Sequence, residues 1–114
     1  MALRTGTLRP GEVVLIRIDF HITPGGKVRP AVVLLDAGDD DLVVAPVTSQ
    51  QRNTEFDLAL RQWHEAGLNV ASTVRVHKLT VLAKDEIVHR IGELAAPDRT
   101  ALAEILRRAF SLSG

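Results

Sequence analysis

Residues 28–35 and 42–47 are apolar and largely β-branched almost throughout, and Asp36-Ala37-Gly38-Asp39-Asp40-Asp41 separates them. Strands with so few polar positions have no face suited to water, so both must be covered on two sides. The Asp- and Gly-rich step between them is turn chemistry. This pattern predicts an antiparallel hairpin at the centre of a sheet, with Pro30 near a strand start or at an edge.

The rest of the chain reads around that hairpin. Residues 13–20 end in the alternation Ile16, Arg17, Ile18, Asp19, Phe20, a strand with one wet face. Pro24-Gly25-Gly26 stops regular pairing and makes residues 21–27 a loop. Residues 49–54 are polar and irregular, and residues 56–60 alternate again. Residues 61–67 read as a helical turn closed by Gly67. Residues 72–79 predict a strand, residues 80–86 stay open, and residues 87–94 predict a last strand with a bulge or close approach at Gly92. Pro97 suits the first residue of a helix reaching Phe110, which buries Leu102, Ile105, Leu106 and Ala109 and turns Arg107 and Arg108 outward. A β-rich body followed by one helix predicts a mainly β fold, a small barrel plugged by a C-terminal helix, with residues 1–114 as one domain.

Composition narrows the functional classes. Lys+Arg and Asp+Glu are both 14, so bulk positive charge cannot bind nucleic acid here; a local patch or a groove shared by two copies must do it. The absence of cysteine excludes disulfides, thiolate nucleophiles and cysteine-ligated zinc. Aromatic residues are 4%, with no tyrosine, which argues against a base-stacking platform. Residues 1–6 lack an apolar export signal and no stretch is long enough to span a bilayer, so the expectation is a cytoplasmic protein.

Polar residues then gather at two strand ends. Arg29 precedes Pro30 at the mouth of one strand, and Thr48-Ser49-Gln50 closes the next. A guanidinium presents a planar fork of donors suited to a phosphodiester, and hydroxyls beside it add hydrogen bonds. The plainer alternatives are an arginine paired with an acid and hydroxyls bonded to their own backbone. Alternation in the strand expected over residues 72–79 sets Arg75 and His77 on one face. An imidazole there is suited to moving a proton near neutral pH. His64 and His89 read as structural or surface residues, Trp63 as packed against the body, and Asp39-Asp40-Asp41 as a turn rather than a metal site.

Six segments follow one another in an order that resembles the PemK/MazF family of toxins. They are Gly11-Glu12-Val13-Val14, Val28-Arg29-Pro30-Ala31-Val32-Val33-Leu34, Ala45-Pro46-Val47-Thr48-Ser49, Glu65-Ala66-Gly67-Leu68, Ser72-Thr73-Val74-Arg75-Val76-His77-Lys78 and Arg90-Ile91-Gly92-Glu93-Leu94. The resemblance implies an SH3-like or CcdB-like barrel, a homodimer, and a ribosome-independent endoribonuclease cutting single-stranded mRNA at short sequences. It implies no metal or other cofactor, ends bearing 2′,3′-cyclic phosphate and 5′-hydroxyl, and an antitoxin peptide that lies across the RNA groove. By the same resemblance Arg29 holds the scissile phosphate and Thr48 supports catalysis. His77 stands where some relatives carry an acid used as general base, and Arg75 contacts phosphate. Lys27, Ser49, Gln50, Lys78 and His21 are the expected further RNA contacts. Two rivals share the barrel: a non-enzymatic gyrase-binding toxin, which the outward Arg107 and Arg108 do not favour, and a decayed toxin that only grips its antitoxin.

Overall fold

The computed structural model describes residues 7–18 and 27–112. The chain forms strands β1 (Glu12–Ile18), β2 (Lys27–Leu35), β3 (Asp41–Thr48), β4 (Asp57–Ala59), β5 (Thr73–Arg75), β6 (Thr80–Ala83) and β7 (Ile87–Glu93), then one helix, α1 (Ala96–Ala109). The sheet is antiparallel in the order β4-β5-β3-β2-β1-β7, and β6 lies beside the first half of β3. The apolar hairpin is therefore central, as its composition requires: β2 lies between β1 and β3, and β3 between β2 and the pair β5 and β6. Pro30 lies one residue outside the β3 ladder, which begins at Ala31 opposite Pro46.

Both faces of the hairpin are covered. Val13, Val32, Ala45, Val47, Leu58 and Val74 point to one side and meet Leu102 and Ile105 of α1. Val14, Ile16, Ala31, Val33, Leu42 and Val44 point to the other and pack with Leu8, Leu82 and Ile87. Leu106 is half-buried while Arg107 and Arg108 are exposed, which matches the predicted helix face. Trp63 packs against the α1-side core.

Residues 61–67 form a single turn closed by Gly67, as expected. The Gly67 N–H donates to His64 C=O at 3.1 Å and the Leu68 N–H to Trp63 C=O at 3.1 Å. Gly67 has φ +94°. This is the two-bond cap that usually ends a helix, here closing a single turn. Asp98, wholly buried in the first turn of α1, accepts the N–H groups of Arg61 and Gln62, both at 2.9 Å, and ties that turn to the helix.

The strand expected over residues 72–79 is shorter than its alternation suggested. β5 stops at Arg75, and Val76–Lys78 form a 3-10 turn. Its partner β4 begins at Asp57, directly opposite Arg75, so the ladder has no further residue to pair with. Val76 N–H makes one last bond, 3.0 Å to Phe56 C=O, and the chain then turns.

Candidate active site

Register, rather than proximity in sequence, brings the polar strand ends together. Ala31 pairs with Pro46, Thr48 with Thr73, and Arg75 with Asp57. Directly paired residues share a face, and so do residues two apart on one strand. Lys27, Arg29, Thr48, Thr73, Arg75 and Asp57 therefore all project from one face of the sheet. It is the face whose other end is filled by Val14, Ala31, Val33 and Val44. The core ends and the polar cluster begins along the same strands.

Each group has a distinct environment. Lys27 and Arg29 are exposed, and among the described residues Arg29 has no ion-pair partner. Thr48 is half-buried, and its Oγ1 accepts the Gln50 N–H at 3.0 Å. The hydroxyl thus bonds its own backbone, as the plainer reading held, but uses only its oxygen to do so; its proton can still be donated. Ser49 and Gln50 lie exposed on the bend that follows, where the Gln50 side-chain oxygen accepts from Arg52 Nη2 at 2.8 Å. Lys78 is exposed at the end of the 3-10 turn. His21 lies outside the described residues. His64 and His89 are exposed, and His89 sits on β7, at the sheet edge opposite β4.

Arg75 is held by a residue the sequence reading did not single out. Its Nε donates to Asp57 Oδ1 at 2.8 Å and its Nη2 to Oδ2 at 3.5 Å, and the Asp57 side chain is fully screened from solvent. Thr54 completes the carboxylate, donating its hydroxyl at 2.8 Å and its N–H at 3.0 Å to Oδ2. The one signal in the sequence is an acid set inside the apolar alternation of residues 56–60. His77, though on a turn and not a strand, remains beside Arg75. Nη2 stands 3.5 Å from His77 Nε2, and the Phe56 and His77 rings lie 6.2 Å apart at 44°. A guanidinium can only donate, so this contact needs a lone pair on Nε2 and puts the neutral ring's proton on Nδ1.

The Asp57 site sets an acid limit on stability. Burial alone pushes this carboxyl up, but the hydrogen bonds from Arg75 and Thr54 outweigh it and hold the group at about 2, below the usual 3.8. Asp36 is lowered in the same sense: burial opposes, while Lys84 and the Leu8 and Gly38 N–H groups prevail. A carboxyl lowered on folding adds stability that is whole above its unfolded value and is lost as pH falls toward its folded value. Urea midpoints should therefore decline below about pH 4. Asp57→Asn should flatten part of that decline; an unchanged acid slope in the variant would contradict this account.

Among the described residues no cluster of three His, Asp or Glu side chains is placed to hold a metal ion. Asp39 Oδ1 accepts the Asp41 N–H at 3.0 Å, a turn bond. No helix among the described residues is long and apolar enough to cross a membrane.

The fold has counterparts among known proteins. Among solved structures, the fold is similar to the Mycobacterium tuberculosis toxin MazF-mt6, with TM-score 0.73 and 25% identity over 93% of this chain and 100% of that one. It is similar to a MazE–MazF structure from Deinococcus radiodurans, with TM-score 0.74 and 21% identity over 93% and 98% of the two chains. An endoribonuclease in complex with its cognate antitoxin, from a mycobacterial species, gives TM-score 0.70 at 18% identity, over 94% of this chain and 98% of the other. No protein of curated function matches the chain. The sequence profile of the PemK-like, MazF-like toxins of type II toxin–antitoxin systems matches residues 9–110, a span holding every one of the six segments noted above, and the chain belongs to that family.

Proposed function

We propose that this protein is the toxin of a type II toxin–antitoxin pair and acts as a metal-independent, sequence-specific endoribonuclease on single-stranded mRNA in the cytoplasm. The observation that carries the reading is the shared sheet face: an exposed arginine without an ion-pair partner among the described residues, a threonine hydroxyl with a proton to give, and an oriented Arg75–His77 pair beside them. These groups meet what RNA cleavage by its own 2′-hydroxyl demands. The 2′-oxygen attacks phosphorus as its proton passes to His77, the bond to the 5′-oxygen breaks as that oxygen takes a proton from water, and the products carry a 2′,3′-cyclic phosphate and a 5′-hydroxyl. Arg29 and the Thr48 hydroxyl stabilise the charge that grows on the phosphoryl oxygens, since donors fixed in advance need no reorganisation during reaction. Arg75 adds its free N–H groups to the same phosphate. His77 takes the 2′-hydroxyl proton through Nε2 as its own contact with Arg75 Nη2 opens. Lys27, Ser49, Gln50, Lys78 and His21 contact the flanking nucleotides.

A homodimer suits a chain of this size, and two copies would gather these cations into one groove although the formal net charge is zero. The antitoxin would bring an acidic, partly apolar segment that folds as it covers that groove, competing with RNA. One relative of this fold is described as an endoribonuclease bound to its cognate antitoxin, which supports the pairing.

The test is digestion of a long single-stranded RNA by the purified protein in EDTA, with cut ends mapped. Discrete cuts leaving 2′,3′-cyclic phosphate are expected at a short repeated sequence. Uncut RNA, or cutting only when a divalent metal is restored, would refute the proposed chemistry.

A further inference from the structure

The proposed chemistry leaves out the most buried charged group on that face. We infer that Asp57 is a positioning residue for RNA cleavage: it fixes which edge of the Arg75 guanidinium meets the substrate. The inference rests on the endoribonuclease reading above.

The geometry is an accounting of donors. A guanidinium has five N–H groups in one plane. Nε–H and one hydrogen of Nη2 face the two oxygens of Asp57, and the other hydrogen of Nη2 faces His77 Nε2. The two hydrogens of Nη1 remain, so a phosphate can be met along that edge alone. Asp57 is itself over-determined. Thr54 supplies two bonds to Oδ2 and accepts the Asp57 N–H on its carbonyl at 3.1 Å. The next residue back completes the hold, because Phe56 bonds Val76 N–H with its carbonyl and sets its ring against His77. The Phe56–Asp57 step thus grips the Arg75-Val76-His77 segment at its backbone, at its cation and at its imidazole.

A purely structural ion pair would need less. Burying a charge pair costs desolvation that its mutual attraction often only offsets, so such a pair is weak evidence of a contribution to stability. Here Asp57 is fully screened, whereas Arg75 keeps 20% of its side-chain surface exposed, on the face that carries Arg29 and Thr48. One end of the pair is anchored in the protein and the other is presented outward. That division suits a held tool better than a buried strut. Reaction rates respond steeply to such placement: an error of about 1 Å can cost on the order of a hundredfold.

The experiment uses a short fluorogenic RNA containing the mapped cut site, in EDTA, with wild type, Asp57→Asn, Arg75→Ala and the double variant. Asp57→Asn keeps the size and one acceptor oxygen but releases the second edge of the fork. Its kcat is expected to fall about 10–100-fold with KM within about threefold, since the orientation of one donor changes rather than the grip on the whole strand. In the Arg75→Ala background the same substitution should cost little more, because the residue through which Asp57 acts is gone. Wild-type kcat in a folded Asp57→Asn, or an equal loss with and without Arg75, would overturn the inference while leaving the endoribonuclease reading intact. Should Asp57→Asn fail to fold, Thr54→Val takes its place. A several-fold loss of kcat at constant KM then supports the inference, and wild-type kcat overturns it. A wild-type protein that leaves every RNA intact overturns both readings together.

Discussion

Arg29→Ala should lower kcat for RNA cleavage by about 10²–10³ while leaving the fold intact, the loss usual when one preorganised stabiliser of a developing oxyanion is removed. Arg29 differs from Arg75 in one respect that sets the ranking of the two. Arg75 is paired with a buried carboxylate, so part of its field is cancelled before substrate arrives. Arg29 is exposed and, among the described residues, unpaired, so its full charge is available to the phosphorane. Arg29→Ala should therefore exceed Arg75→Ala in effect. Arg29→Lys should recover part of the loss, because a lysine restores the charge but not the planar fork. Stability should move by no more than about 0.5 kcal/mol, as for an exposed side chain with no buried contact. The decisive pair of measurements is kcat on the mapped oligonucleotide and the urea midpoint. Cleavage within tenfold of wild type in a folded Arg29→Ala would remove Arg29 from the chemistry. Undiminished growth inhibition by that variant in cells would point to a toxin that works by binding alone.

The parts of this structure that were readable in the sequence are those decided by local pattern. The Asp36–Asp41 turn, the two-sided burial of β2 and β3 and the apolar stripe of α1 each follow from residue types at fixed spacing. The convergence of Arg29 with Thr48 was legible for the same reason, since each marks the end of a hairpin strand and a hairpin brings such ends together. What could not be read was set by partners distant in sequence. Residues 72–79 alternate as a long strand would, yet β5 ends at Arg75 because β4, which lies 16 residues upstream, is only three residues long. Asp57 and Asp98 look like ordinary surface acids in the sequence. One becomes the anchor of Arg75, 18 residues away, and the other the clamp on Arg61 and Gln62, 37 and 36 residues away. The apolar alternation around Asp57 is the one local hint, and nothing local names the distant groups that will meet either acid.

The largest effect on stability should come from two glycines that meet across the fold. Gly67 and Gly92 lie in two of the segments by which the chain resembles its family, and here each leaves room for the other's backbone. A Cβ on Gly92 would stand 2.3 Å from the Ala66 carbonyl oxygen, and one on Gly67 2.3 Å from the Ile91 carbonyl oxygen. Both obstacles are main-chain atoms, which cannot swing aside as a side chain would. Ile91 is also the extra residue of a bulge in β7, for Val13 pairs with Gly92 and Val14 with Arg90. The bulge and the Gly67 turn are thus packed backbone to backbone. Gly92→Ala should cost about 3 kcal/mol, the upper part of the range for overpacking a filled interior. Gly67→Ala should cost about 1–2 kcal/mol more, because φ +94° adds left-handed strain to the same clash. Urea unfolding at one fixed protein concentration measures both. A Gly92→Ala midpoint equal to that of wild type would mean that the turn and β7 are not in contact in solution. Equal losses in the two variants would mean that the positive φ of Gly67 carries no strain for alanine. If both losses appear in the expected order, the turn that begins at Arg61, Asp98 beneath it and the bulge at Ile91 form one mechanical unit. They tie the connection between β4 and β5, next to Asp57 and Arg75, to β7 at the other end of the sheet order.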